Sequence, residues 1–273
     1  MLSDIGNLIS EWNKSKFEEA DSLPLMTTPG PVVLILVSYL LFIFKIGPSY
    51  MKNKEPYKLT TVLILYNIFQ VVFSAYLVKK YFKQLYRHGL APRSCLINDE
   101  SHRKEIILVL WLYFIAKIIE LLDTVFFVLR KKDKQITFLH VYHHCIMMMA
   151  SWAYIKYWPS ELLLIIGGLN SLVHVFMYTY YGLAALGPKA TKYIFWKRHM
   201  TKMQLVQFVC ILIHYAIAIQ RSECPHEGAV ALFFSFNNAF VLLLFVHFYW
   251  KNYTSGKKTI SFDNICKLSE KES

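Results

Sequence analysis

The side chains best suited to chemistry in this chain are the three histidines of "HVYHH", His140, His143 and His144. Their spacing of i, i+3 and i+4 puts all three on one face of a helix. A neutral imidazole near pH 7 is a nucleophile, a general base or a metal ligand. Three other stretches repeat the pattern of polar groups at helical spacing. "KIIELLDT" aligns Lys117, Glu120 and Thr124, with Asp123 beside them. "NSLVHVFMYTYY" aligns Asn170, His174, Tyr178 and Tyr181, and "TKMQLVQFVCILIH" aligns Gln204, Gln207 and His214. A di-iron site needs several histidine clusters, whereas His174, His199, His214, His226 and His247 stand singly. There is no HExxH, and the cysteines lack zinc-ligand spacing. No metal and no tightly bound cofactor are expected. The imidazoles read instead as nucleophile or base, with Asp123 or Glu120 orienting a ring and stabilising its cation.

The elements that must position these groups are apolar. The chain has 273 residues, 55% of them hydrophobic and 16% aromatic. Crossing the hydrocarbon core takes ~20 residues of helix. Seven segments qualify, at roughly 29–46, 59–80, 106–129, 136–155, 161–181, 203–220 and 229–250. The expectation is an all-α integral membrane protein with seven transmembrane helices: an arm over 1–28, a catalytic membrane domain over 29–250 and a tail over 251–273. Gly47-Pro48, Gly187-Pro188 and Pro225 are expected in connections. The arm is polar and of mixed charge, so the first span is expected to act as the insertion signal.

Lys and Arg number 30 against 18 Asp and Glu, a net charge of +12. On a membrane protein this excess reads as topology and as attraction for anionic partners. No nucleic-acid motif accompanies it. Most of the basic residues between spans fall on one side if the N-terminus is lumenal and the C-terminus cytosolic; the 79–105 loop goes against this. That orientation puts Cys95 and Cys224 in lumenal loops, where a disulfide between them is expected. It also makes Asn13, in "NKS", a glycosylation candidate.

Ionisable groups inside spans are costly and tend to be functional. At ~1.5 Å of rise per residue, Asp123 lies ~9 Å, His143 ~10–12 Å, His174 ~10 Å and Gln207 ~6 Å from the cytosolic helix ends. Four helices thus bring polar groups to one layer, as a reaction chamber with a cytosolic mouth would. Plainer readings stay open for single residues. Glu120 or Asp123 could simply pair with Lys117, and Asn170, Gln204 and Gln207 could hydrogen-bond helix to helix.

Four motifs in register resemble the very-long-chain fatty-acid elongase (ELO) family. They are KxxExxDT (Lys117–Thr124), QxxFLHxxHH (Gln135–His144), NxxxHxxMYxYY (Asn170–Tyr181) and TxxQxxQF (Thr201–Phe208). The resemblance implies an enzyme of the endoplasmic reticulum membrane, a 3-oxoacyl-CoA synthase that joins long-chain acyl-CoA to malonyl-CoA and releases CO2 and CoA. It implies six helices in an inverted barrel around an acyl tunnel, with one peripheral helix. It implies an acyl-imidazole on His143, with His174 facing it; His140 and His144 are then expected to orient groups and handle protons, and Asn170 or a neutral imidazole to stabilise an enolate oxygen. Lys117, Tyr178, Tyr181, Gln204 and Gln207 are then expected to bind substrate, and Lys197, Arg198, Lys202, Lys257 and Lys258 to meet CoA phosphates. Expected partners are membrane lipid, the reductases and dehydratase of the elongation cycle, and a second copy in a homodimer. The family often ends in a dilysine signal, whereas this chain ends "SEKES". The competing readings are a membrane di-iron desaturase or hydroxylase and, more remotely, a seven-span receptor.

Overall fold

The computed structural model describes residues 15–89, 99–187, 197–221 and 225–254; their regular secondary structure is all helical, with no strand among them. In chain order the α-helices are α1 (Glu18–Asp21), α2 (Gly30–Leu41), α3 (Gly47–Met51), α4 (Thr60–His88), α5 (Glu100–Glu120), α6 (Leu122–Leu129), α7 (Phe138–Tyr157), α8 (Leu162–Ala185), α9 (Lys197–Arg221) and α10 (Pro225–Tyr253). A π-helical segment, Phe42–Ile46, joins α2 to α3.

Five helical stretches among the described residues are long and apolar enough to cross a membrane: Gly30–Met51, Thr60–Arg87, Leu162–Ala185, Arg198–Arg221 and Gly228–Tyr253. The chain is accordingly a multi-pass membrane protein. The two other expected spans, α5–α6 and α7, are the ones that carry Lys117, Glu120 and Asp123 and the three histidines. Their polar load lowers the very signal that marks a span, and neighbouring helices cover that load instead of lipid. Successive contacts run α4–α8–α9–α10–α7–α5 and back to α4, a closed circuit of six helices. The α2–α3 hairpin-free rod lies outside it and touches it chiefly through α6.

Three expectations are corrected. The third span is not one helix: α5 ends at Glu120, and tight i→i+3 bonds from Leu121 N–H to Ile118 and from Thr124 N–H to Leu121 mark the break. Gly47 and Pro48 do not lie in a connection but inside the first spanning rod. The wider π turn just before Pro48 accommodates a residue that cannot donate a backbone bond. A Cβ on Gly47 would sit 2.6 Å from Val128 Cγ1, so α3 lies directly against α6. The same device seats α4 on α8, where a Cβ on Gly167 would fall 2.3 Å from the Tyr81 ring. Pro225 opens α10 rather than preceding it, a position that tolerates its missing N–H.

Candidate active site

The histidine box owes its placement to the start of α7. Thr137 is the N-cap, and its hydroxyl accepts the His140 backbone N–H at 3.2 Å. From that fixed start the three imidazoles line one face, with ring centres 4.4 Å apart for His140 and His144 and 5.7 Å apart for His143 and His144. His144 is buried, whereas His143 alone of the three lines a cavity inside the helix circuit. The cavity also meets Asn170, Gln207 and Asn237 near His143, and Ser151, Tyr81, Tyr215 and Phe234 further along. From His143 to Ser151 it follows α7 for about 12 Å.

Behind His143 stands a buried polar network. The Lys117 ammonium donates to both Glu120 oxygens, at 2.9 and 3.0 Å, and to Asn170 Oδ1 at 2.7 Å. The Tyr113 hydroxyl donates to that same Oδ1 at 2.8 Å. Two donors on one oxygen orient the Asn170 amide, so its Nδ2 faces His174 Nε2, at 3.5 Å. His174 Nε2 therefore presents its lone pair, and the ring proton sits on Nδ1, which donates to Glu120 at 3.0 Å. A carboxylate holding an imidazole in one tautomer is the first requirement of a general base; here the Nε2 lone pair faces only the Asn170 amide, at the long limit of a hydrogen bond, and can be given up to a stronger donor. His143 lies within electrostatic range of Lys117, Glu120, His174 and His140.

The helix break separates the two carboxylates. Glu120, last in α5, faces Lys117 and His174. Asp123, in the first turn of α6, accepts from the Tyr178 hydroxyl at 2.8 Å instead. Tyr178 packs edge-on to Tyr66 at 6.0 Å, and Gln70 donates to the Tyr66 hydroxyl at 3.0 Å. Thr124 joins His140 at 2.8 Å. The structure thus gathers His140, His143, His144, Lys117, Glu120, Asp123, Asn170, His174, Tyr178 and Gln207 in one region. Other expected site residues lie elsewhere. Gln204 reaches Met177 Sδ at 3.8 Å, and Tyr181 is exposed, its ring edge-on to Tyr178 at 6.2 Å. Arg198 donates to the Tyr249 hydroxyl at 3.0 Å, and Lys202 is exposed. Asn13, Cys95, Cys224, Lys257 and Lys258 lie outside the described residues, as does the side chain of Lys197.

Sequence reasoning missed several participants. Asn67, Gln70 and Ser74 form a buried polar stripe on α4 at spacings of three and four, a signal available in the sequence. Tyr113, Tyr39 and Asn237 carried no comparable mark. Among the described residues, no three His, Cys, Asp or Glu side chains gather as metal ligands would. Buried polar atoms are nearly always paired, yet Gln207 Oε1 and the Tyr81 hydroxyl have no partner among the described residues, and both residues line the cavity.

The model of the ELO (GNS1/SUR4) family matches residues 24–261 of this chain. Among similar proteins, very long chain fatty acid elongase 7 of Rattus norvegicus is 38% identical, covering 90% of this chain and 89% of its own. Very long chain fatty acid elongase 4 of Homo sapiens is 39% identical over 88% of this chain and 77% of its own. Very long chain fatty acid elongase 1 of Mus musculus is 38% identical over 94% and 93%.

Proposed function

Since the chain belongs to the ELO family, we propose that it is the condensing enzyme of fatty-acid elongation, a 3-oxoacyl-CoA synthase working by a ping-pong route through His143. One observation carries this reading: His143 opens onto an apolar cavity while a Glu120-oriented imidazole, His174, stands in electrostatic range behind it. In the first half-reaction a His143 nitrogen attacks the thioester carbonyl of an acyl-CoA. The C–S bond breaks, the ring N–H proton passes by way of the His174 lone pair to the departing thiolate, and CoA leaves with its thiol protonated. In the second, malonyl-CoA loses CO2. Its enolate attacks the acyl carbon, and the C–N bond to His143 breaks. The departing imidazolate takes a proton drawn from solvent by way of His174, so one proton is consumed per turnover, and the 3-oxoacyl-CoA is two carbons longer than the acyl chain that entered.

The surroundings suit these steps. Exclusion of water protects an acyl-imidazole from hydrolysis, and the cavity walls away from His143 are largely apolar. Gln207 Oε1, a buried acceptor without a partner among the described residues, matches the amide N–H groups of the pantetheine arm. The six-helix circuit serves as the inverted barrel around the acyl chain, with the first span peripheral. The enzyme sits in the endoplasmic reticulum membrane with its N-terminus lumenal, and its product passes to a reductase, a dehydratase and a second reductase. The test is to give purified protein a long-chain acyl-CoA without malonyl-CoA and to measure intact mass. An acyl adduct on His143 with an equivalent of free CoA is expected. A His143→Ala protein that condenses at the wild-type rate overturns the assignment.

A further inference from the structure

We propose that Tyr39, on the first membrane helix, is a positioning residue for the histidine box and acts on His140 through Thr124. The inference rests on the box being the reaction centre. Most of α2 faces outward: Val33, Leu34, Val37 and Leu41 are exposed, as the surface of a peripheral span should be. Two of its residues are buried, Val32 and Tyr39, and only Tyr39 carries a polar group: it is 6% exposed, with its hydroxyl 2.8 Å from Thr124 Oγ1. Thr124 is itself fully buried, and its hydroxyl lies 2.8 Å from His140 Nε2.

This line has one direction that satisfies both hydroxyls. A threonine hydroxyl has a single proton, so it donates to one neighbour and accepts from the other. If His140 Nε2–H donated to Thr124 and Thr124 to Tyr39, the buried tyrosine proton would have no acceptor among the described residues, which is costly. In the other direction Tyr39 donates to Thr124, and Thr124 donates to the Nε2 lone pair. His140 then holds its proton on Nδ1 as a neutral imidazole, with its ring set against His144, the neighbour of His143. Partners beyond the reacting groups commonly select a histidine tautomer in this way.

The register of the contact is built into the backbone. Just past Tyr39 the rod widens into the π segment Phe42–Ile46, and such segments recur at functional sites. It then meets α6 at Gly47, where a Cβ would strike Val128, in the helix that bears Thr124. The outer helix is therefore docked at the level where its one buried hydroxyl reaches the box.

The experiment is a double-mutant cycle on the full-length enzyme in detergent, with kcat and KM measured for both substrates and melting recorded for every variant. Tyr39→Phe, which removes only an oxygen, is expected to lower kcat roughly threefold to tenfold with both KM values unchanged. Thr124→Val should lose at least as much, and Thr124→Ser, which keeps the hydroxyl, should recover most of it. The Tyr39→Phe/Thr124→Val double variant should turn over no more slowly than Thr124→Val alone, because a residue that acts through Thr124 has nothing left to act on. Wild-type kcat in Tyr39→Phe, an effect confined to KM, or two losses that multiply in the double variant would overturn the proposal. All three results leave the His143 adduct untouched, so this inference can fail while the functional reading stands.

Discussion

Lys117 and Lys156 are both buried lysines, 3% and 0% exposed, and they sit at opposite ends of the helix circuit. Lys156, near the end of α7, is held by Asp21 Oδ1, the Ser15 hydroxyl and the carbonyls of Met26 and Thr27, at 2.9 to 3.1 Å. All four belong to the N-terminal arm. Trp152 and Trp111 add bonds to the Leu25 and Pro24 carbonyls, and Leu25 is fixed there in a left-handed conformation with φ of 68°. Lys156 is a latch whose partners end in backbone and arm. Lys117 is equally enclosed, but its partners, Glu120 and Asn170, both also contact His174. Burial of a charge therefore does not distinguish structure from chemistry in this molecule. What distinguishes them is whether the partners lead on to a group that can react.

The largest effect that would sharpen the contrast is expected from Glu120→Gln. It removes the charge that orients His174 while keeping the shape, and condensation per folded molecule should fall on the order of 10²- to 10³-fold. Breaking a buried pair also costs roughly 3–5 kcal/mol, so the rate must be measured on material shown to be folded by size exclusion and melting. Lys156→Met should reverse the pattern. A loss of about 3 kcal/mol is expected as a melting temperature lower by several degrees, with turnover per folded molecule close to wild type. A collapse of turnover in Lys156→Met would erase the distinction between the two lysines. The smallest effect is expected at the arm's outer ion pair. Arg103 donates to Glu19 at 2.5 Å and holds that carboxyl below its ordinary value of 4.5. A lowered folded-state pKa stabilises at neutral pH and is lost as the pH falls through it. Glu19→Gln should thus melt slightly lower than wild type at pH 7, by at most about 1 kcal/mol, and the two curves should converge in acid.

Legibility from the sequence followed the visibility of each pattern. The box, the Lys117–Thr124 run and the Asn170–Tyr181 run were readable because ionisable groups are rare in apolar segments and repeat at three and four residues. The break at Leu121 was not, because nothing in "IIELLDT" breaks a helix by propensity; tertiary partners pull Glu120 and Asp123 in different directions. Gly47-Pro48 misled because a Gly-Pro pair ordinarily ends a helix, and only the adjoining π turn and the close approach of α6 let it continue. Tyr39 and Tyr113 were invisible because a tyrosine in a span looks the same whether it faces lipid or a buried hydroxyl.

By itself the sequence determined that this chain is a helical membrane protein and which ionisable residues fall at helical spacing inside its apolar segments, because hydropathy and helical spacing are local properties of consecutive residues. Only the tertiary structure decided which histidine meets the cavity, which carboxylate orients His174, and that the first helix reaches the box. Those outcomes depend on the relative rotation and depth of helices far apart in the chain, and contacts such as Gly47 on Val128 and Gly167 under Tyr81 set them once the helices pack.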